Sequence, residues 1–187
     1  EIMPSLVGSE MCIRDRLCVL FAFLYTTGPY PLSYNGWGDV LVIVFFGFVP
    51  VGGTYYVQAL TWTPDVTIAS LICGLLIDTL LVVNNYRDRE ADARSGKRTV
   101  IVRFGEKFGR YFYLMLGVTA SLLCLCFLRE GHFLAALLPQ LYLIPHFLTW
   151  KRMVKIYSGK KLNSILGETS RNMLFMGVLI AIGMLVS

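Results

Sequence analysis

The chain has 187 residues, a formal net charge of +5 and a strongly apolar composition, with 56% hydrophobic and 16% charged residues. Soluble domains carry about 25% charged residues, so the composition excludes a soluble domain and indicates one integral membrane domain. The mean hydropathy of +0.62 supports this interpretation. The positive charge does not indicate nucleic-acid binding, because the cations lie between apolar segments, as they do in membrane-protein loops.

The cysteines and histidines do not predict a metal site. Four of the five cysteines lie in apolar runs, and neither the pair Cys124 and Cys126 nor the isolated His132 and His146 has the spacing of metal ligands. We interpret the cysteines as small hydrophobic residues and both histidines as structural or interfacial residues.

Residues 1–16 do not match the apolar pattern that follows them. The segment is polar at its end and abuts an apolar run, with no basic region before an apolar one and no cleavage pattern, so it is not a secretory signal. It resembles translated sequencing-adapter sequence. We expect residues 1–16 to be a non-native leader and residues 17–187 to be the membrane domain, a fragment whose true N-terminus is missing.

The apolar segments predict five full membrane spans after a short remnant. Residues 17–27 are too few to cross a bilayer, which needs about 20, so we expect the end of a truncated helix, followed by a loop over residues 28–38. Short turns are predicted at residues 61–65 and 129–132, and a long basic loop over residues 151–172. The predicted spans are residues 39–60, 66–85, 108–128, 133–150 and 173–186, the last with its preceding turn. Four residues are expected to bend the first span: Gly47, Pro50, Gly52 and Gly53.

The cations predict the orientation of these spans. Residues 87–110 hold eight Lys or Arg residues and residues 151–171 hold six, which together are 14 of the 17 in the chain. Two spans separate these segments, so both lie on one side of the membrane, the cytoplasmic side by the positive-inside rule. We therefore predict an all-α, polytopic transmembrane helix bundle in the cell (inner) membrane.

A dense polar cluster, residues 84–99, ends the second predicted span. Asn84, Asp88 and Asp92 are spaced i, i+4 and i+8, so they form one stripe if the segment is helical. Carboxylates that hold a hard divalent cation, beside cations that hold phosphate oxygens, form a Mg²⁺–diphosphate site. At a membrane surface, such a site indicates a substrate with an anionic head and an apolar tail. The flanking cations are Arg87, Arg94, Lys97 and Arg98.

The alternative interpretation of this cluster is a solvated loop that only obeys the topology rule. Such a loop needs Lys and Arg, but not the paired Asn84 and Asn85 at membrane depth, nor two aspartates on the face of Asn84. Asp78, inside the same predicted span, is a functional candidate because an intramembrane carboxylate is costly. Two interpretations of Asp78 stay open: it lines the same cavity, or it is a structural hydrogen-bonding group.

The cluster resembles the second aspartate-rich motif of the UbiA superfamily of intramembrane aromatic prenyltransferases. The motif reads Asn84-Asn85-Tyr86-Arg87-Asp88, then Asp92, then Gly96-Lys97-Arg98-Thr99. This form is most similar to the 1,4-dihydroxy-2-naphthoate polyprenyltransferases of menaquinone synthesis. Two further stretches support the resemblance: residues 25–32, and residues 162–166 with Thr169.

The resemblance implies a bundle of nine transmembrane helices, of which this chain would supply the last five and the end of the fourth. The first aspartate-rich motif of the family lies between its second and third helices, outside this chain. Half of a two-motif catalytic centre would thus be present, and we expect the fragment to be inactive alone.

The resemblance also implies the chemistry and the roles of residues. Asp88 and Asp92 would be catalytic and would bind Mg²⁺ together with Asn84. The diphosphate would be bound by Arg87, Lys97, Arg98, Asn84 and Asn85. A role for Arg94 stays open.

A polyprenyl diphosphate would alkylate the naphthoate ring with loss of diphosphate and CO₂. The tail would lie between the first two full spans, where Tyr55 and Tyr56 either line its cavity or pack between helices.

Two other functions remain as alternatives. Another enzyme of the superfamily would use 4-hydroxybenzoate, homogentisate, haem or another lipid acceptor. A transporter or lipid-binding membrane protein would favour ionisable groups near the middle of the membrane, where only Asp78 lies. In every case the partners are small molecules and the lipid bilayer, and no nucleic acid.

Overall fold

The computed structural model describes residues 31–186 together with Arg16, Val19, Leu20 and Phe23. The predicted leader and helix remnant otherwise lie outside the described residues. The described part contains no strand and five helices that are long and apolar enough to cross a membrane, which confirms the all-α transmembrane bundle. These helices are α1 (Gly38–Ala59), α2 (Pro64–Arg94), α3 (Val100–Glu130), α4 (Phe133–Ile156) and α5 (Lys160–Val186).

Helix α1 is irregular at the positions where a bend was predicted. Its backbone is π-helical over Ile43–Gly52 and α-helical on either side. Pro50 lies inside the π-helical stretch and cannot donate a backbone hydrogen bond, so the regular α-helical ladder is interrupted there. The helix ends at Leu60, whose φ of 53° reverses the chain toward α2.

Helices α1 and α2 approach each other closely enough to exclude any side chain at the crossing. A Cβ atom added to Gly47 of α1 would collide with the backbone oxygen of Ser70 and would lie 2.8 Å from the Cα atom of Gly74. Small residues at such crossings allow membrane helices to pack backbone against backbone. This contact fixes the spacing of α1, which begins near the polar cluster, and α2, which ends in it.

Helix α2 is the centre of the bundle and contacts α1, α3 and α5. It begins with a capping bond, in which the Thr63 hydroxyl accepts from the Val66 N–H at 3.3 Å. The span was predicted to end at residue 85, but the helix continues to Arg94, so residues 84–94 of the polar cluster are helical and Asn84, Asp88 and Asp92 share one face. A helix of 31 residues is about 46 Å long, against about 30 Å of hydrocarbon, so its last turns project beyond the apolar layer.

The loops at the polar end of α2 lie on one side of the bundle. Two helices separate residues 31–37 from residues 95–99, and two more separate the latter from residues 157–159. We call this the basic side, because most of the Lys and Arg residues lie at or near these three segments. Helix α3 begins here at Val100, earlier than predicted, and Gly105 with φ 87° interrupts its first turns.

The predicted basic loop over residues 151–172 is wrong. Helix α4 continues to Ile156 and α5 begins at Lys160, which leaves only a short turn. Polar residues of α5 face inward and are hydrogen bonded there: the Thr169 hydroxyl lies 3.0 Å from that of Tyr113, and the Asn172 amide donates to Thr149 at 2.9 Å. Because these groups find partners inside the bundle, a polar segment forms a helix instead of a loop.

His146 is structural, as the sequence indicated. It is fully buried and its ring stacks with those of Tyr113 and Tyr142. Its Nδ1 atom lies 2.9 Å from the Tyr142 hydroxyl and its Nε2 atom 3.3 Å from the Leu114 carbonyl oxygen. A neutral imidazole satisfies both contacts when Nε2–H donates to the carbonyl and Nδ1 accepts from the hydroxyl.

The crossing of α1 and α2 yields the first testable prediction. Gly47→Ala should lower the free energy of unfolding by about 1–3 kcal/mol, because overpacking against backbone atoms cannot be relieved by side-chain rotation. Thermal unfolding in detergent measures the effect. Gly53→Ala is the matched control on the same helix, because a Cβ atom there meets nothing within 4 Å. Equal effects of the two substitutions would contradict the close crossing.

Candidate functional site

The loop before α1 folds over the polar end of α2. The Arg98 backbone N–H donates to the Tyr34 carbonyl oxygen at 2.8 Å, and the Arg103 guanidinium donates to the Asn35 carbonyl oxygen at 2.8 Å. Gly36, with φ 82°, makes the turn directly after Tyr34 and Asn35. The sequence predicted a loop here but no role in the site, although two intervening spans already require it to lie on the side of the polar cluster.

A polar cavity of about 340 Å³ lies beneath this loop. It contains four of the predicted site residues: Asn84, Asn85, Asp92 and Lys97. Sequence reasoning missed the remainder of the wall, which comes from the loop, the start of α1, Leu81 of α2 and the turn between α2 and α3. These missed residues include Ser33, Tyr34, Asp39 and Thr99.

Asp92 and Lys97 bring opposite charges into the cavity. The Lys97 ammonium lies 3.5 Å from the Asp92 carboxylate, and the Lys97 backbone N–H donates to the Asp92 carbonyl oxygen at 2.9 Å. Gly96 permits this tight return of the chain because its φ is 77°. The amide of Asn85, which is buried, adds both a donor and an acceptor to the same wall.

Arg87 joins the polar cluster to α5. Its guanidinium donates to both carboxylate oxygens of Asp88, at 2.7 and 2.6 Å, and to the amide oxygen of Asn84 at 2.6 Å. It also donates to the amide oxygen of Asn163 at 2.9 Å. Asn163 belongs to one of the two supporting stretches of the sequence, and the structure brings it to the cluster across 76 residues of chain.

The remaining predicted residues lie around the cavity rather than in its wall. Asp88 lies between Asn84 and Asp92 on the helix, but its carboxylate is paired with Arg87. The side chain of Arg98 is exposed. Arg94 is also exposed, and its guanidinium donates to the Glu90 carbonyl oxygen at 3.2 Å. The structure therefore divides the predicted set into a cavity group, an Arg87–Asp88 pair beside it, and the exposed side chains of Arg98 and Arg94.

The oxygen donors of the cluster suit a hard divalent cation that takes most of its ligands from water and substrate. Within the described residues, no group of three or more Asp, Glu, His or Cys side chains is arranged to hold a metal ion. Mg²⁺ is commonly bound by one or two carboxylates, with waters and substrate phosphates completing its octahedron. Asp92, Asp88 and the amide oxygen of Asn84 match that donor chemistry.

Arg89 belongs to a separate cluster that braces the basic side. Its guanidinium lies 4.6 Å from the centre of the Tyr86 ring and 5.1 Å from that of Tyr157, and 3.6 Å from the Glu106 carboxylate. Arg110 donates to the Tyr86 hydroxyl at 2.9 Å. A hydrogen bond to the Glu106 carboxylate raises the pKa of Tyr157. These contacts join α2, α3 and the turn before α5. Arg89 is therefore paired with groups outside the polar cavity.

A second, apolar cavity of about 650 Å³ lies between α1, α2 and α5. Its wall includes Val51, Ile77 and Gly177. Ile77 is one helical turn before Leu81, which lines the polar cavity, so the two cavities follow each other along α2. Tyr55 and Tyr56 are exposed and do not line either cavity.

Comparison with known proteins gives a consistent result. The model of the UbiA prenyltransferase family matches residues 17–185. The 1,4-dihydroxy-2-naphthoate octaprenyltransferase of Haemophilus influenzae is 34% identical over 174 residues, which are 91% of this chain and 56% of that protein. The protein of the same description from Escherichia coli is 41% identical over 113 residues, 60% of this chain and 36% of that protein.

A third relative extends the comparison to another bacterial group. The 1,4-dihydroxy-2-naphthoate octaprenyltransferase of Mycobacterium tuberculosis is 41% identical over 122 residues, 65% of this chain and 42% of that protein. The chain thus spans about half or less of the length of these curated relatives. No solved structure matches the chain significantly.

The link between Arg87 and Asn163 yields the second prediction. Asn163→Ala should speed amide hydrogen exchange at the start of α5 and lower the free energy of unfolding by about 1 kcal/mol, because one charge-assisted hydrogen bond between α2 and α5 is lost. Ser164→Ala is the control, since that hydroxyl donates only to Lys161 within its own turn. Unchanged exchange in Asn163→Ala would show that the bond does not hold α5.

Proposed function

This chain belongs to the UbiA prenyltransferase family, and from that premise we propose that the whole protein transfers a polyprenyl group from a polyprenyl diphosphate to 1,4-dihydroxy-2-naphthoate. The observation that carries the proposal is the polar cavity, where two asparagine amides, a carboxylate and a lysine meet at the end of an apolar helix. An anionic head fits the cavity while an apolar tail extends into the bilayer.

The choice of acceptor rests on the relatives. Three of them, from Haemophilus influenzae, Escherichia coli and Mycobacterium tuberculosis, are described as acting on 1,4-dihydroxy-2-naphthoate. A Synechocystis protein that is 26% identical over 93 residues is described as a 2-carboxy-1,4-naphthoquinone phytyltransferase. These descriptions favour a naphthalene acceptor, and hence menaquinone or phylloquinone synthesis, over 4-hydroxybenzoate or homogentisate.

Some residues of the polar cluster are proposed to hold the metal ion and others to bind the diphosphate. Bound Mg²⁺ would neutralise charge on the diphosphate as the bond to carbon breaks, held by Asp88, Asp92 and the Asn84 amide oxygen. Lys97 is already beside Asp92 and can reach phosphate oxygens of a ligand in the cavity. Arg87 has the planar, forked donors that suit phosphate. Arg98, with its exposed side chain, and Asn85 complete the proposed set of diphosphate ligands.

The reaction requires that the diphosphate leaving group is stabilised and that the allylic cation is shielded from water. The carbon–oxygen bonding pair leaves with the diphosphate, which Lys97, Arg87 and Arg98 hold through charge-assisted hydrogen bonds. The ring carbon that bears the carboxylate supplies the electron pair of the new carbon–carbon bond. The acceptor carboxylate departs as CO₂, and its bonding pair restores the aromatic ring. The loop over the cavity, which includes Tyr34, limits the access of water to the allylic cation.

The isoprenoid tail is assigned to the apolar cavity between α1, α2 and α5. Because Ile77 lines this cavity and Leu81 the polar one, a substrate with its head in the cluster can extend along α2 without crossing a polar surface. The exposed Tyr55 and Tyr56 are not needed as lining residues. The basic side would face the cytoplasm of a cell (inner) membrane, because loops rich in Lys and Arg stay on that side.

The third prediction tests the proposed function directly. Membranes that contain the protein, expressed from the complete reading frame that encodes this chain, should form prenylated product and diphosphate from 1,4-dihydroxy-2-naphthoate only when Mg²⁺ is present. Asp92→Asn should reduce the rate by about 100-fold or more, because charge stabilisation at the leaving group is lost. Asp65→Asn, at the other end of α2, is the control and should retain the rate.

The other outcomes separate the alternatives. Product from 4-hydroxybenzoate or homogentisate, but not from the naphthoate, would keep the enzyme class and replace the acceptor. Binding of prenyl diphosphate that depends on Mg²⁺, without product from any acceptor, would indicate a lipid-binding protein. No binding at all would remove the diphosphate site and leave a transporter as the remaining alternative.

The fourth prediction concerns the tail. Gly177→Leu should place a side chain in the apolar cavity and raise KM for long polyprenyl diphosphates, while KM for dimethylallyl diphosphate stays unchanged because its tail is too short to enter. Gly167→Leu is the control on the same helix, since this glycine is exposed and does not line the cavity. A parallel rise for short and long substrates would show that the tail lies elsewhere.

A further inference from the structure

Asp78 is the most unusual side chain of the bundle. It is fully buried in α2, and neither carboxylate oxygen has a hydrogen-bond partner among the described residues. A buried carboxylate without a donor costs several kcal/mol if it is ionised, and more so within a membrane helix. Other buried side chains on the described helices, such as Thr169, Asn172 and His146, do have partners.

The neighbour of Asp78 is a second carboxyl group, that of Asp39. Asp39 lies in the first turn of α1 and is 8% exposed. Ile43 of α1 packs against Gly74 of α2 at the close crossing. Asp39 and Asp78 each lie one helical turn from this contact toward the basic side, so the two carboxyl groups are on facing turns of the two helices. Both groups are acceptors when ionised, so a hydrogen bond between them forms only if one carries a proton. Like charges this close in an apolar surrounding do not ionise together. The close crossing at Gly47 and Gly74 holds the two helices, and therefore the pair, in place.

Only one member of the pair reaches the polar cavity. Asp39 lines the cavity together with Asn84, Asn85 and Lys97, whereas Asp78 lies behind it, out of contact with the cavity. No cation forms an ion pair with either carboxyl group among the described residues, in contrast to Asp88 and Asp92. Asp39 therefore faces the proposed reaction site, and the second carboxyl group lies behind it.

We propose that Asp39 and Asp78 form a proton-sharing pair that binds the ring hydroxyl of the aromatic acceptor, with Asp39 as the contacting group and Asp78 as its positioning residue. This inference rests on the proposed function. Asp39 accepts the hydroxyl hydrogen bond and takes the proton as the ring attacks. The electron pair of the O–H bond flows into the ring and supports the new carbon–carbon bond. When CO₂ leaves, the ring electrons return to the oxygen, which takes its proton back.

The arrangement explains why two acids are used instead of one. A single buried Asp39 would carry a full charge that competes for Mg²⁺ with the carboxylates of the polar cluster. Sharing one proton with Asp78 spreads a single negative charge over two carboxyl groups. The pair then accepts a hydroxyl proton without attracting the metal strongly.

Steady-state kinetics test the contact with the acceptor. Asp39→Asn should raise KM for the aromatic acceptor by about tenfold or more and lower kcat, because a hydrogen bond to a charged group is lost. KM for the polyprenyl diphosphate and the Mg²⁺ requirement should not change. Asp39→Glu should recover part of the loss, and Asp65→Asn should behave as the unchanged protein. A shift in the diphosphate KM or the Mg²⁺ requirement would instead assign Asp39 to the metal site and overturn the proposal.

Infrared spectroscopy tests the shared proton without turnover. The unchanged protein in membranes should show the carbonyl stretch of a protonated carboxyl group that shifts in D₂O, and Asp78→Asn should alter this band. The double variant Asp39→Asn, Asp78→Asn should lose it; these isosteric changes conserve volume, and gel filtration in detergent verifies folding. A band that persists in the double variant overturns the pair. If the band is present but the unchanged protein forms no prenylated product, the proposed function fails and the acceptor role fails with it, while the pair itself stands.

Discussion

The close crossing of α1 and α2 is the constraint on which the site depends. Gly47 and Gly74 let the two backbones touch, so no side chain can change the distance between the helices. The start of α1 and the end of α2 lie on the same side, and their spacing there follows from the crossing. The loop before α1 therefore reaches the backbone of Arg98 through Tyr34 and closes the cavity. A site on two helices locked in this way needs little reorganisation when a substrate binds.

Hydrogen bonding inside the bundle separates structural polar residues from those available for function. The Tyr113–Thr169 and Thr149–Asn172 bonds join α3, α4 and α5 with each group satisfied. Such bonds offset the cost of burying polar groups where no water is available. Asp78 and the Ser70 hydroxyl are the buried groups without a hydrogen-bond partner among the described residues, and only Asp78 is ionisable. The contrast between satisfied and unsatisfied buried groups, rather than their depth, is what singles out Asp78 for a role beyond the fold.

The sequence predicted most of the fold and four of the twelve residues that line the polar cavity. Hydrophobic runs located all five helices, and Asn84, Asp88 and Asp92, whose spacing forms one stripe on a helix, all lie in α2. The loop predicted over residues 151–172 is wrong, because charge and polarity do not reveal that Thr169 finds a partner on another helix. Sequence reasoning also missed Asp39 as a cavity residue, because the position of a side chain at a helix start depends on a crossing between glycines distant in sequence. Local patterns predict elements, whereas the wall of a cavity depends on contacts between them.

The Arg87–Asp88 pair gives the cluster a means to couple the binding of metal and diphosphate under the proposed function. Arg87 already uses its forked donors on Asp88, Asn84 and Asn163. A diphosphate that takes over the guanidinium releases the Asp88 carboxylate and the Asn84 amide oxygen, which are two of the proposed Mg²⁺ donors. Before substrate arrives, the ion pair compensates the charge of Asp88, so the site does not attract a cation that lacks a phosphate partner. Under the proposed function, binding of the leaving group and assembly of the metal site would thus become one event, and the bond to carbon would be activated only when a substrate occupies the cavity.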